Sequence, residues 1–287
     1  MPEDSAFTAV DRAMMARAFA QAELGLYTTS PNPHVGCVLA RDGRVVGEGW
    51  HVRPGEAHAE VNAIRAAGAA AAGSTAYVTL EPCNHFGRTP PCVDALIAAR
   101  VARVVAAMRD PNPIAAGGAE RLRAAGIAVE FGLMEDQARA LNPGFISRVT
   151  RGRPWFRMKI AASLDGRTAL ADGRSRWITG AAARRDGHHW RARSCAVLTG
   201  IGTVRDDDPQ LNVREVATPR QPLRIIVDSR LETPPAARVL EGGNVLVFAA
   251  SAEPERAAAV RATGAQVELL PGPGGKVDLG ALAEGAA

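Results

Sequence analysis

The chain has 287 residues, 47% of them hydrophobic, and a formal charge of +4, which suits two ordinary domains, each burying its own core. It opens MPEDSAFTAV, with early acids and no long apolar run; this argues against a secretory signal or membrane span and predicts a cytoplasmic protein. Cys37, Cys83, Cys92 and Cys195 are too few for a disulfide scaffold, and no Lys/Arg stripe interleaved with aromatics marks a nucleic-acid partner.

The positions Ala9, Val10, Ala13, Met14, Ala18 and Leu24 recur at helical spacing until Gly25, which predicts a helix within 7–24. Two apolar runs, VGCVLA and VVGEGW, flank Arg41-Asp42-Gly43-Arg44 and read as a β-hairpin. An alternation follows: helix 59–70, strand 76–80, helix 93–99, strand 104–108, helix 119–125, strand 128–131. Such alternation predicts an α/β sheet covered by helices. The breakers and charges between Asn142 and Pro154 place a boundary near residue 150, giving domains 1–150 and 151–287. In the second domain strands are predicted at 156–161, 196–198, 223–227, 245–248 and 267–270, with helices at 181–192 and 254–262. The last residues, 279–287, begin like a helix. The first 150 residues carry net charge −1 and the rest +5, an excess that reads either as compositional drift toward arginine or as an anion-binding bias.

His58-Ala59-Glu60 opens a predicted helix, and about 25 residues on comes Glu81-Pro82-Cys83-Asn84-His85-Phe86-Gly87-Arg88-Thr89-Pro90-Pro91-Cys92. One imidazole and two thiolates suit Zn²⁺, and three protein ligands leave a fourth position open, the layout of a catalytic site. Zinc-bound water ionises near neutral pH and can attack an amidine-like ring carbon. Glu60, two residues beyond the first ligand, is placed as general acid/base. Singly, each residue has an ordinary reading, since a His at a helix start caps it and buried Cys is common. Together they form the HxE…PC…C signature of zinc nucleobase deaminases.

Eight residues separate Cys83 from Cys92, where nucleoside and tRNA deaminases have two. The insert PCNHFGRTPPC, with Pro31-Asn32-Pro33-His34-Val35-Gly36 upstream and Asp110-Pro111-Asn112-Pro113 downstream, closely resembles the deaminase half of the bacterial riboflavin-biosynthesis deaminase-reductases, over most of residues 10–145. The resemblance implies a cytidine-deaminase-like three-layer α/β/α domain acting on a diaminopyrimidinone that carries a phosphoribosylamino group. It puts Asn32, His51, His85, Arg88, Asp110 and Asn112 where family members contact ring and phosphate; Asn32 and Asn112, each beside prolines, also read as plain turn residues.

Lys159-Ile160-Ala161-Ala162-Ser163-Leu164-Asp165-Gly166-Arg167-Thr168-Ala169, the run Ser175-Arg176-Trp177-Ile178-Thr179-Gly180 and the segment from Gly202 to Arg214 resemble the same family's reductase domain, which has a dihydrofolate-reductase-like α/β fold. By that resemblance Ala161, Trp177, Thr203, Asp207 and Ser229 border NADPH, while Ser175, Arg191, Leu211 and Arg214 border the ribosyl phosphate. The implied chemistry is hydride transfer to the opened ribose, with the hydride supplied by the cofactor. Without the resemblance, Asp206-Asp207-Asp208-Pro209 reads as a solvated turn and Trp177 as core. Family reductase domains continue past Ala287, so this one reads as C-terminally truncated. Sequence alone leaves open a deaminase with an inactive second domain and, against the near-neutral first half and the long cysteine spacing, a nucleic-acid-editing deaminase. The expected partner is a small phosphorylated pyrimidine, with no nucleic acid or membrane, in a homo-oligomer.

Overall fold

The computed structural model describes residues 7–175 and 177–285, in two compact units, Met1–Trp155 and Phe156–Ala287. In the first unit α1 (Ala9–Glu23) starts at a capping box, the Thr8 hydroxyl accepting from the Asp11 N–H while the Asp11 carboxylate accepts from the Thr8 N–H, which satisfies two otherwise orphaned donors. The hairpin β1 (Gly36–Arg41) and β2 (Arg44–Trp50) turns at Asp42 and Gly43, both with positive φ (53° and 72°), the backbone such a two-residue turn demands. Then come α2 (Ala59–Ala67), β3 (Thr75–Val78), α3 (Cys92–Ala98), β4 (Arg103–Ala106), α4 (Gly118–Ala124) and β5 (Ala128–Phe131). The sheet order is β2-β1-β3-β4-β5, with β1 antiparallel to β2 and β3, and β3, β4 and β5 parallel.

Successive strand residues point to opposite faces, and each face has its own core. Cys37, Leu39, Ala76, Val78, Val104 and Ala106 pack with Ala63, Leu96 and Leu122 from α2, α3 and α4. Val38, Ala40, Tyr77 and Val105 pack with Met15 and Phe19 of α1 and with Ala138. Three layers result.

A polar knot pins α1 to the sheet. Asp11 is 3% exposed and accepts from Tyr77 Oη at 2.8 Å and Arg103 Nη1 at 2.6 Å. Burial alone would raise this carboxyl, but the bonds from Arg103, Thr8 and Tyr77 outweigh it and hold the group well below the usual range. An Asp11→Ala chain is expected to lose about 2 kcal/mol in the urea transition of the first unit, because it takes away one of the two carboxylate partners of Arg103, which keeps Glu130, and leaves the buried Tyr77 hydroxyl without its acceptor. The wild-type advantage is present above the unfolded carboxyl range near 4 and fades as pH falls toward the folded value. A shift under about 0.5 kcal/mol would contradict this account.

After α5 (Glu135–Leu141), a further helix, α6 (Pro143–Arg151), occupies most of the stretch of breakers read from sequence as a boundary. Pro143 does not break the chain there; it stands in the first turn of α6, where its missing N–H costs nothing.

The second unit holds a parallel sheet, β6 (Ala196–Gly200), β7 (Leu223–Val227), β8 (Val245–Ala249) and β9 (Gln266–Leu269), in the order β6-β7-β8-β9. Its helices are α7 (Ala181–Arg193), α8 (Ile201–Asp207), α9 (Pro254–Ala262) and α10 (Leu279–Gly285). One face of the sheet packs with Val204 of α8 and with Ala257 and Val260 of α9; the other meets Leu282 of α10. The strand predicted at 156–161 is not formed. The segment has the right alternation, but among the described residues no backbone hydrogen bond joins it to a strand, and alternation makes a strand only where a neighbouring edge supplies partners. Its large apolar residues are correspondingly exposed, Met158 by 83%. Arg176, and Ala286 and Ala287 of the predicted terminal helix, lie outside the described residues. No helix among the described residues is long and apolar enough to cross a membrane.

Candidate active site

Two glycines seat the helix that opens the site. A Cβ at Gly47 would lie 2.4 Å from the Ala63 carbonyl oxygen, and one at Gly49 would lie 2.5 Å from the Ala63 nitrogen, so α2 lies directly on β2 only because both positions lack side chains. His58 is the N-cap of α2, Glu60 is in its first turn and Cys92 is the first residue of α3. The His58 Nδ1 lies 3.5 Å from Cys83 Sγ and 3.3 Å from Cys92 Sγ, and the three donor atoms all fall within 4.8 Å of one another. Spacing and softness fit a tetrahedral zinc site with one position left for a reactant. The bond from the Cys92 thiol is the main influence that draws the Cys83 thiol down from its ordinary range, against burial and with help from His58. One thiol of the pair is thus readily ionised, as a metal ligand must be.

Glu60 is 3% exposed and its Oε2 has no hydrogen-bond partner among the described residues. Burial, then the neighbouring Cys83 charge, pushes its carboxyl up to about 7, against the pull of His58. An orphaned buried carboxylate oxygen is costly unless a ligand or catalytic proton accounts for it.

These groups open on a cavity of about 400 Å³. Asn32, His51, His58, Glu60, Cys83, His85, Arg88, Asp110 and Asn112 all line it; Cys92 is fully buried behind it. The Ala57 carbonyl can only accept, so His51 donates to it from Nδ1 (3.2 Å) and Nε2 accepts from the Asn32 amide (3.1 Å). Burial lowers the His51 pKa, which favours the neutral ring. This bond leaves the Asn32 Oδ1 as the free acceptor of that amide. The Asp110 Oδ1 accepts from the Asn112 N–H, and burial raises this carboxyl to about 6. The His85 Nδ1 is buried without a hydrogen-bond partner among the described residues.

Sequence reasoning passed over Glu81, Phe145 and Arg148, which also line the cavity. The Glu81 carboxylate accepts from the Asp110 and Ala119 N–H groups, both at 3.1 Å, tying the Asp110 loop to the start of α4; the visible signal was an acid at the end of an apolar strand, directly before Pro82-Cys83.

The second unit gathers fewer of its assigned residues. Arg191 donates to the Asn212 carbonyl at 3.1 Å and Arg214 to the Asn212 Oδ1 at 2.6 Å. Burial first, then the Arg214 charge, lowers the Arg191 pKa. Leu211, buried with φ 53°, directly precedes Asn212. Thr203 and Asp207 share a face of α8, which starts directly after β6, and Ser229 follows β7, its Oγ accepting from the Val277 N–H at 3.2 Å. Thr203, in the first turn of α8, and Ser229 follow closely on the carboxyl ends of β6 and β7, the edge where parallel sheets take ligands, whereas Asp207 ends α8. Ala161 lies in the extended segment without a strand, Ser175 is half-buried, and Trp177 is 72% exposed beneath the Arg184 guanidinium at 4.5 Å. No hydrogen bond among the described residues joins these three to the sheet.

A layered sheet with a His/Cys/Cys centre and a buried glutamate defines a zinc-dependent deaminase, here followed by a second α/β unit. Residues 8–108 match the cytidine and deoxycytidylate deaminase zinc-binding region, and residues 154–283 match the RibD C-terminal domain. The riboflavin biosynthesis protein RibD of Escherichia coli is 52% identical over 259 residues, covering 86% of this chain and 71% of that protein. The Aquifex aeolicus protein of the same name is 45% identical over 265 residues, covering 92% and 74%. The solved structure of Acinetobacter baumannii RibD superposes with a TM-score of 0.87 at 48% identity, over 96% of this chain and 76% of that one. A Thermotoga maritima deaminase/reductase does so with a TM-score of 0.85 at 36% identity, covering 96% and 77%. The chain belongs to the RibD family, bifunctional deaminase-reductases of riboflavin biosynthesis that use zinc and NADPH. It spans about three quarters of the length of these relatives.

Proposed function

We propose that the first unit converts 2,5-diamino-6-(5-phosphoribosylamino)pyrimidin-4-one to the corresponding uracil with release of ammonia, and that the second reduces the ribosyl group of that product to ribityl. The observation that carries the first half is the convergence of three soft donors and an unpartnered glutamate oxygen on one cavity. His58, Cys83 and Cys92 would hold zinc, which when bound supplies a Lewis acid that readies water as a nucleophile at neutral pH. Glu60 would move both protons of the attacking water in turn, one to the adjacent ring nitrogen and one to the departing amino nitrogen; the ring carbon loses a C–N bond, its new bond to oxygen becomes the oxo group, and ammonia leaves. Asn32 offers its Oδ1 to a ring N–H, with His51 locking the amide. Asp110, Asn112 and His85 read other ring donors and acceptors, and Arg88 takes the phosphate with its guanidinium fork.

In the second unit Arg191 and Arg214 face each other across Asn212, and a phosphate dianion between them relieves their repulsion. Leu211 and Ser175 would border the same group, with Ala161, Trp177, Thr203, Asp207 and Ser229 bordering NADPH. Arg214→Met is expected to raise KM for the uracil substrate about tenfold, with little loss of kcat; NADPH oxidation at varied substrate concentration reads it, and an unchanged KM removes Arg214 from the phosphate site. The near-neutral first half favours a small substrate over nucleic acid, and we place the enzyme in the cytoplasm as a homo-oligomer. The deciding assay supplies the diaminopyrimidinone phosphate, zinc and NADPH to the 287-residue chain and follows ammonia and NADPH together. Both signals are expected; ammonia without NADPH oxidation would leave a deaminase with a silent second unit.

A further inference from the structure

We propose that Arg148 is a specificity-determining residue of the deaminase cavity, gripping the substrate phosphate together with Arg88; the inference rests on the phosphorylated-pyrimidine reading above. Arg88 and Arg148 are the two Lys/Arg side chains that line the cavity. Neither guanidinium takes part in a hydrogen bond or ion pair among the described residues, whereas Arg151 on the same helix donates to the Ser147 Oγ at 3.0 Å. Both are therefore available to an anion without first breaking a protein contact.

The charge balance of the cavity calls for the second cation. Glu56, Glu60, Glu81 and Asp110 also line it, and a phosphate dianion entering beside four carboxyl groups is poorly matched by one guanidinium. A single fork covers two phosphate oxygens and a second arginine can take the third.

The helix that presents Arg148 is held in place from its N-cap. Asn142, 4% exposed, accepts from the His34 N–H at 2.7 Å and donates to the His34 carbonyl at 3.0 Å. This two-way clamp joins the start of α6 to the Pro31–His34 segment that carries Asn32. Phe145 and Ile146 pack on the α1 face of the sheet, and the Ser147 hydroxyl donates to the Arg153 carbonyl at 2.8 Å. Arg148 is thus carried on a braced element that also fixes a ring-reading residue, the arrangement a site needs to register two ends of one substrate.

The test compares ammonia release by the zinc-loaded full chain and its Arg148→Gln variant, on the phosphorylated diaminopyrimidinone and on its dephosphorylated riboside. The expected result is a KM raised about tenfold or more on the phosphorylated compound and kcat/KM on the riboside changed less than twofold, so that the preference for phosphate shrinks. Arg148→Lys should restore part of it. Arg151→Gln controls for loss of charge from the same helix and should leave KM within about twofold. An unchanged KM in Arg148→Gln, an equal rise on both compounds, or an equal effect of Arg151→Gln would overturn the inference while leaving the pyrimidine reading intact. Absence of ammonia from either compound with wild type would bring down that reading and the inference with it.

Discussion

Replacing Glu60 by Gln is expected to leave zinc bound and to cut ammonia release by about a thousandfold, the middle of the range for loss of a positioned acid/base. The amide has the shape of the carboxylate but cannot accept and return a proton. Glu60 is suited to that exchange because burial and the Cys83 charge push its carboxyl up to about 7, where it can both take and give a proton near neutrality. The variant should fold at least as well as wild type, since it removes a buried charge whose Oε2 has no partner. Metal analysis, thermal unfolding and ammonia release on the same preparation separate the possibilities. Turnover within tenfold of wild type would remove Glu60 from the chemistry, whereas loss of zinc would make it a support of the metal site.

The second large effect is expected from Cys92→Ser. The residue is fully buried and stands 3.3 Å from the His58 Nδ1, so a shorter, harder hydroxyl cannot replace its thiolate. Zinc affinity should fall by more than about a hundredfold, the upper end for changes merely beside a ligand, and deamination should drop to background. A chelator should do the same to wild type, with recovery on adding zinc back; zinc should not rescue the variant. Supplied with the already deaminated uracil, Cys92→Ser should still oxidise NADPH, because none of the residues assigned to that step belongs to the first unit. Stoichiometric zinc with normal turnover in Cys92→Ser would show that the three-donor cluster is not the metal site.

The features legible in the sequence are those whose cause is local or chemical. Asp42-Gly43 announces its turn because few other pairs accept positive φ at both positions, and His58, Glu60, Cys83 and Cys92 announce a metal site by type, order and context. Glu81 was missed because its meaning depends on an amide 29 residues away, at Asp110. Helix α6 was missed because Pro143 followed by Gly144 reads as a stop, when the proline in fact stands in the helix's opening turn; with it went Arg148. The predicted strand at 156–161 failed for the opposite reason, since alternation records a preference for an edge but not whether one is present. In the second unit the fold brings together only some of the residues that the resemblance named, among them Arg191 and Arg214, which both donate to Asn212.

The eight residues between Cys83 and Cys92 carry both His85 and Arg88 to the cavity. The loop is cinched at its base, the Cys92 N–H donating to the Cys83 sulfur at 3.4 Å. Binding both cysteines to one ion closes a ring of about ten residues, and the conformational freedom so removed, on the order of 2 kcal/mol, is then no longer charged against substrate binding. Zinc loading should therefore tighten recognition of the phosphorylated end of the substrate as well as supply the chemistry at the ring.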